Sequence, residues 1–224
     1  MFGYEAPYKI EKFHPVLKAS KLQAPSSRFD PRWGTRYGQF RGIAHKYFYL
    51  EKKELMSFAM CGKKHRSELR QRDDFKVEDT KPHTLYAEVK LYPKTTQREF
   101  TFLQIHADPT LNIPNNTSIN KPLLRVVWKK RYRNRYNHLW AVICTNTDVN
   151  NSTYTKIDLG RLEDRYHSFK IVVQNSRMKI YVDGDLKVDF DVSYWNGMWN
   201  YYKAGVYLQS NGCAKATFKE LRFE

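Results

Sequence analysis

The chain reads as an all-β protein, a sandwich or jelly roll of two antiparallel sheets, and three features lead there. Apolar and polar residues alternate with period two in run after run. Sustained helical periodicity is scarce, and polar turns separate the runs with no repeat of fixed length. Many antiparallel strands in one unit without repeats are the pattern of a two-sheet sandwich.

Residues 1–44 are rich in Pro, Gly, Ser and isolated aromatics, and read as an irregular lead-in to the same unit, with room for an edge strand. Strands dominate residues 45–224. "YLEKKELMSF" suits either a short helical turn or the approach to a strand. "HTLYAEVKLY" sets Leu85, Ala87, Val89 and Leu91 against Tyr86, Glu88, Lys90 and Tyr92. "REFTFLQIHAD" follows a polar turn at 93–98, and "LLRVVWKK", "HLWAVICTN" and "HSFKIVVQN" continue the series. "MKIYVDGDLKVDFDV" is a hairpin: Met178, Ile180 and Val182 alternate inward, Asp183-Gly184 turns, and Leu186, Val188 and Phe190 alternate back. "ATFKELRFE" is the last strand.

A chain of 224 residues supports one large core without a disulfide framework. Lys and Arg outnumber Asp and Glu by 39 to 23, a net charge of +16. Such a field draws polyanions, whether nucleic acid, an anionic membrane or an acidic polysaccharide. Cys61, Cys144 and Cys213 show no metal-ligand spacing and leave room for one disulfide. No apolar run suits a transmembrane helix, and the first residues, "MFGYEAPYKIEKF", carry no apolar core of signal-peptide type. Sequons occur at Asn115, Asn116, Asn150 and Asn151.

Three segments put functional side chains on one parity. In "RSELR" these are Arg66, Glu68 and Arg70; in "LQIHAD", Gln104 and His106; in "YYKAGVYLQ", Tyr201, Lys203, Tyr207 and Gln209 around Gly205. Each alone is the ordinary composition of a solvated strand face. Side by side in one sheet, they make a groove carrying guanidiniums, an amide, an imidazole, an ammonium and phenols.

The trio "RSELR", "QIH" and "YYKAGVYLQ" resembles the signature segments of the alginate lyases of polysaccharide lyase family 7, in the same order. The resemblance covers roughly residues 45–224; Tyr202 stands where Phe is usual and Leu208 where Asn is frequent. It implies a concanavalin-like β-jelly roll of two curved antiparallel sheets, with the substrate groove on the concave one. It also implies β-elimination on a 1,4-linked polyuronate, with no cofactor and no metal. Arg66 and Gln104 would take the uronate carboxylate, with His106 beside them, and Tyr207 would protonate the departing O4. Glu68, Arg70, Lys203, Tyr201 and Gln209 would bind or orient substrate, Glu68 by holding the arginines.

The chemistry asks for these groups. The C5 proton is hardly acidic beside a charged carboxylate, so the site must hold that carboxylate as though neutral. Arginine's planar fork does this, and an amide adds a donor without charge. Histidine, with an ordinary pKa of about 6.5, stays neutral among cations and can serve as base. For mannuronate, C5–H and O4 share a side and Tyr207 can act as base, then acid; for guluronate they are opposed and His106 is the better base. Within the family, Ile in the position of Ile105 accompanies guluronate-containing blocks, although its parity points away from the groove.

The expected partner is therefore an acidic polysaccharide, alginate first, for a secreted monomer that binds neither nucleic acid nor membrane. Glucuronan is the near alternative, with the same machinery and different subsites. A non-catalytic lectin-like sandwich would not need Gln104, His106 and Tyr207 together. A single-strand nucleic-acid binder is suggested by "WKKRYRNRY", where a continuous strand would align Lys129, Arg131, Arg133 and Arg135.

Overall fold

The computed structural model describes residues 3–26, 30, 32–112 and 119–224; the sequons at Asn115 and Asn116 lie outside them. After two single-turn 3-10 helices and a short helix α1 (His14–Lys18), fifteen strands follow. They are β1 (Ser20–Gln23), β2 (Phe48–Glu51), β3 (Leu55–Cys61), β4 (Arg66–Gln71), β5 (Phe75–Lys76), β6 (His83–Pro93) and β7 (Glu99–Ala107). Next come β8 (Pro122–Tyr132), β9 (Arg135–Cys144), β10 (Tyr154–Arg161), β11 (His167–Gln174) and β12 (Arg177–Val182). β13 (Asp185–Asp191), β14 (Trp199–Leu208) and β15 (Cys213–Phe223) complete the chain.

The strands form two antiparallel sheets of jelly-roll type. The first runs β1-β4-β14-β7-β8-β9-β10, with β5 also paired to β14; the second runs β13-β12-β11-β6-β15-β3-β2. Alternation fills the space between them. Leu69, Ile105, Ala204 and Val206 from the first sheet and Leu85, Val89, Ile171 and Phe218 from the second are fully buried in one core. Phe102 meets Phe169 across the sheets at 5.1 Å. β1 forms the edge of the first sheet, and Val16 and Leu17 of α1 join the same core.

Some local readings change. Lys52 and Lys53 take φ of 51° and 61°, so "YLEKKELMSF" holds a turn between β2 and β3, not a helix. "WKKRYRNRY" is not one strand either: Arg133 (φ 51°) and Asn134 turn it into the β8–β9 hairpin, where Arg131 faces Tyr136 and Tyr132 faces Arg135. β10 carries no clear apolar alternation because it is an edge strand that fully buries only Leu159. Cys61 and Cys213 face each other on β3 and β15 and form a disulfide, while Cys144 is buried and unbridged. No helix among the described residues is long and apolar enough to cross a membrane.

Candidate active site

Register brings the three polar segments together. β14 lies between β4 and β7, so Arg70, Lys203 and Gln104 occupy one cross-strand row, Tyr201 pairs with His106, and Tyr207 pairs with Arg66 on one side and Thr101 on the other. A shift in register between Thr101 and Leu103 lets Thr101, Gln104 and His106 share the outer face although their numbers differ in parity. At Gly205 the strands approach so closely that a Cβ would lie 2.2 Å from the Ser67 carbonyl oxygen, and φ there is +142°. The glycine within the tyrosine-rich motif is thus the point where β14 presses onto β4.

A cleft of about 470 Å³ opens on this face, lined by Arg66, Gln104, His106, Tyr201, Lys203, Tyr207 and Gln209 among others. Glu68 lies beneath the floor, fully buried, and Arg70 is outside the lining. Glu68 accepts a hydrogen bond from Gln104 Nε2 at 2.5 Å and another from Lys203 Nζ at 2.5 Å, with Arg66 Nη1 at 3.6 Å. Burial pushes the Glu68 carboxyl up, but Lys203, Arg66 and these hydrogen bonds outweigh it and hold it below its ordinary value. The carboxylate is therefore ionised and acceptor-only, which aims the Gln104 NH2 group at it and leaves that amide its second N–H. Two cations around one carboxylate leave one net positive charge, the complement of a single incoming carboxylate. Arg66 Nε is buried with no hydrogen-bond partner among the described residues, and the guanidinium sits 4.5 Å over the Tyr207 ring.

Glu68 does not hold both arginines, as the sequence suggested. Arg70 bonds instead to Asp108, to the Tyr37 hydroxyl and, at 2.7 Å, to the Gln71 carbonyl. Its guanidinium stacks on Tyr201 at 3.8 Å, and Tyr201 in turn stacks on His106 at 5.5 Å and 15°. Arg70 thus buttresses the ring that backs the histidine.

His106 Nδ1 donates to the Ala107 carbonyl at 2.8 Å, and the Tyr201 hydroxyl lies 3.4 Å from the same nitrogen. That arrangement leaves Nε2 as the unprotonated nitrogen. Desolvation first, and then the Lys203 charge, draw His106 down to about 4, so the ring is neutral at physiological pH. Burial raises Tyr201 to about 12 and keeps its phenol protonated. Lys203, drawn down to about 8 mainly by burial despite the pull of Glu68, remains an ammonium at pH 7. Gln209 donates to Thr101 Oγ1 and leaves its own Oε1 without a hydrogen-bond partner among the described residues.

Other lining residues escaped the sequence reading. Arg125 comes from β8, Tyr154 from β10, and Lys121 and Ser152 from the loops before those strands. A lone arginine within apolar "LLRVV" was a usable signal for Arg125; the loop residues offered none. No group of three or more His, Cys, Asp or Glu among the described residues is placed to hold a metal ion.

Replacing Glu68 by glutamine tests the support beneath the floor. It strands the buried Lys203 ammonium opposite a neutral amide, and should cost about 3–5 kcal/mol of stability. Urea titration would read this as a lower midpoint with an unchanged slope; a midpoint equal to that of the parent would show that Glu68 organises nothing.

Comparison with known proteins identifies the family and the fold. A family model described as "Alginate lyase" matches residues 17–224. An alginate lyase from Photobacterium sp. (strain ATCC 43367) is 32% identical over 250 aligned positions, covering 97% of this chain and 87% of the relative. The structure of alginate lyase AlyC3 in complex with dimannuronate superposes with a TM-score of 0.86 at 29% identity, covering 99% of this chain and 95% of that one. Alginate lyase A1-II', a member of polysaccharide lyase family 7, shares the fold with a TM-score of 0.75 at 19% identity, covering 98% of each chain.

Proposed function

The chain belongs to the alginate lyase family and is a polyuronate lyase; from that premise we propose that it cleaves alginate by β-elimination through Arg66, Gln104, His106 and Tyr207. The observation that carries this reading is the shared buried carboxylate, Glu68, which pre-aims Gln104 and Lys203 and steadies Arg66 before any substrate arrives. Donors fixed in advance need no reorganisation when charge develops on the uronate.

Arg66 and the second N–H of Gln104 receive the carboxylate and share its charge, so the dianion formed on loss of the C5 proton is stabilised where it forms. The base takes that proton, the C5–H electrons become the C4–C5 double bond, and the C4–O4 bond breaks. Tyr207 gives its proton to the departing O4. For mannuronate Tyr207 serves as base and then acid. For guluronate the bare Nε2 of His106 takes the proton. AlyC3 was solved with dimannuronate, which favours the mannuronate route as the first to test. Ile105 is fully buried in the core, so it can affect block preference only through packing.

The depressed His106 fixes a pH expectation. If neutral His106 is required, its acid limb in kcat/KM, which reports the free enzyme, falls near pH 4 and not near 6.5. Between about pH 6.5 and 4 the unfolded chain binds the proton that the folded one refuses, so this histidine also lowers stability as pH falls through that window. A kcat/KM limb centred near 6.5 that disappears in His106→Asn would contradict the buried, cation-flanked ring.

Secretion is the compartment we infer, because the Cys61–Cys213 disulfide requires an oxidising environment to persist. The test of substrate is a panel of mannuronan, guluronan, mixed alginate and glucuronan, followed by the absorbance of new unsaturated ends. Turnover of alginate is expected; turnover of glucuronan alone would overturn the substrate while leaving the elimination.

A further inference from the structure

The basic-aromatic hairpin lies on the same face as the cleft and continues it. Across the first sheet, Gln104 pairs with Arg125, Arg125 with Val142, and Val142 with Lys156, a row that leads from the carboxylate site to the far edge strand. The adjacent row runs Thr101, Val127, Trp140, Asp158. Val127, Trp140 and Val142 form an apolar cluster separate from the core between the sheets, and Tyr132 packs on it, edge-on to Trp140 at 5.0 Å.

Cations ring that tyrosine. Lys156 Nζ lies 4.5 Å from the ring centre and 3.5 Å from the hydroxyl, and the Arg133 guanidinium is 5.5 Å from the ring. In the cleft each cation of the motifs has a carboxylate partner, whereas Arg131, Arg133 and Lys156 have none among the described residues. Part of the +16 charge is therefore displayed unneutralised here, beside exposed Tyr136.

We propose that Tyr132, Arg133 and Lys156 form a distal subsite that grips the polyuronate several units from the bond being broken. The tyrosine offers a flat face to a sugar ring, and the two cations meet the carboxylates of successive units. Three strand spacings separate Gln104 from Lys156, roughly 14 Å, so an oligomer of two units seated at Gln104 does not reach that lysine. The proposal rests on the polyuronate reading of the cleft and adds to it a dependence on chain length.

The test compares kcat/KM on long alginate and on short oligouronates for the intact enzyme, for R133S/K156Q, and for Tyr132→Ala. The double variant removes no side chain of the apolar cluster and guards against misfolding of the tyrosine variant. On long alginate both variants should lose roughly five- to ten-fold, through KM, and the double variant should show a weaker dependence on salt. On short oligouronates they should match the parent. An equal loss on both lengths would reduce the hairpin to a structural role, and no loss on the polymer would make it a solvated tip. Single-stranded DNA displacing alginate from the hairpin at equal salt would assign it to nucleic acid instead. A parent enzyme inactive on every polyuronate would remove the cleft reading, and this proposal with it.

Discussion

Removing one oxygen atom, in Tyr207→Phe, should lower turnover of alginate about a thousand-fold while leaving the polymer bound. The phenyl ring keeps its place under the Arg66 guanidinium, now 4.5 Å from the ring centre, so neither fold nor carboxylate site should change. What is lost is the proton for O4 and, on mannuronate, the base for C5. His106→Asn should discriminate between blocks, falling hardest on guluronate, where its Nε2 is the proposed base. The two variants, measured by absorbance on pure blocks with binding followed separately, give four rates. A Tyr207→Phe enzyme with turnover near that of the parent would remove Tyr207 from the chemistry.

Replacing Gly205 by alanine should be the most damaging change to the fold. The added methyl would sit 2.2 Å from the Ser67 carbonyl oxygen and 2.7 Å from Glu68 Cα, both backbone atoms that cannot swing aside. A φ of +142° is itself unfavourable for an alanine. Either β14 lifts from β4 or the chain fails to fold, at a cost of about 4 kcal/mol or more. Because Tyr207 pairs with Arg66 and Lys203 with Arg70 across that same seam, activity should vanish with the packing. The check is a denaturation midpoint together with turnover; a stable Gly205→Ala enzyme of ordinary activity would show that the close approach is not needed.

How much of this was legible beforehand depends on what kind of signal each part leaves. Strands such as β6 and β12 announced themselves because one face is buried and the other wet, so parity alone marks them. β10 did not, since an edge strand with little burial has no reason to alternate. The cleft residues could be named because three motifs held their functional groups on one parity. Their division of labour could not, because it depends on register: Glu68 reaches Lys203 and Gln104, whereas Arg70, two residues on, turns to Asp108 and Tyr37. Arg125 and Tyr154 lie far along the chain from the motifs and enter the cleft only through pairing of β8 to β7 and of β10 to β9. The charged run 129–135 could be aligned as one strand only on the nucleic-acid reading; the polar gap between "LLRVVWKK" and "HLWAVICTN" is the β8–β9 turn, where an arginine occupies the left-handed position.

The decisive measurement is degradation of alginate in water labelled with heavy oxygen, with products read by mass. Elimination takes no water into the broken linkage, so each cleavage should leave one reducing end and one unsaturated non-reducing end. The unsaturated fragment should be one water lighter than its hydrolysis counterpart, with no heavy oxygen taken up when the reaction is stopped before reducing ends exchange with the solvent. Products carrying one heavy oxygen per cleavage and lacking the double bond would mean that the cleft hydrolyses its substrate, and that the arrangement of Arg66, Gln104, His106 and Tyr207 serves some other chemistry.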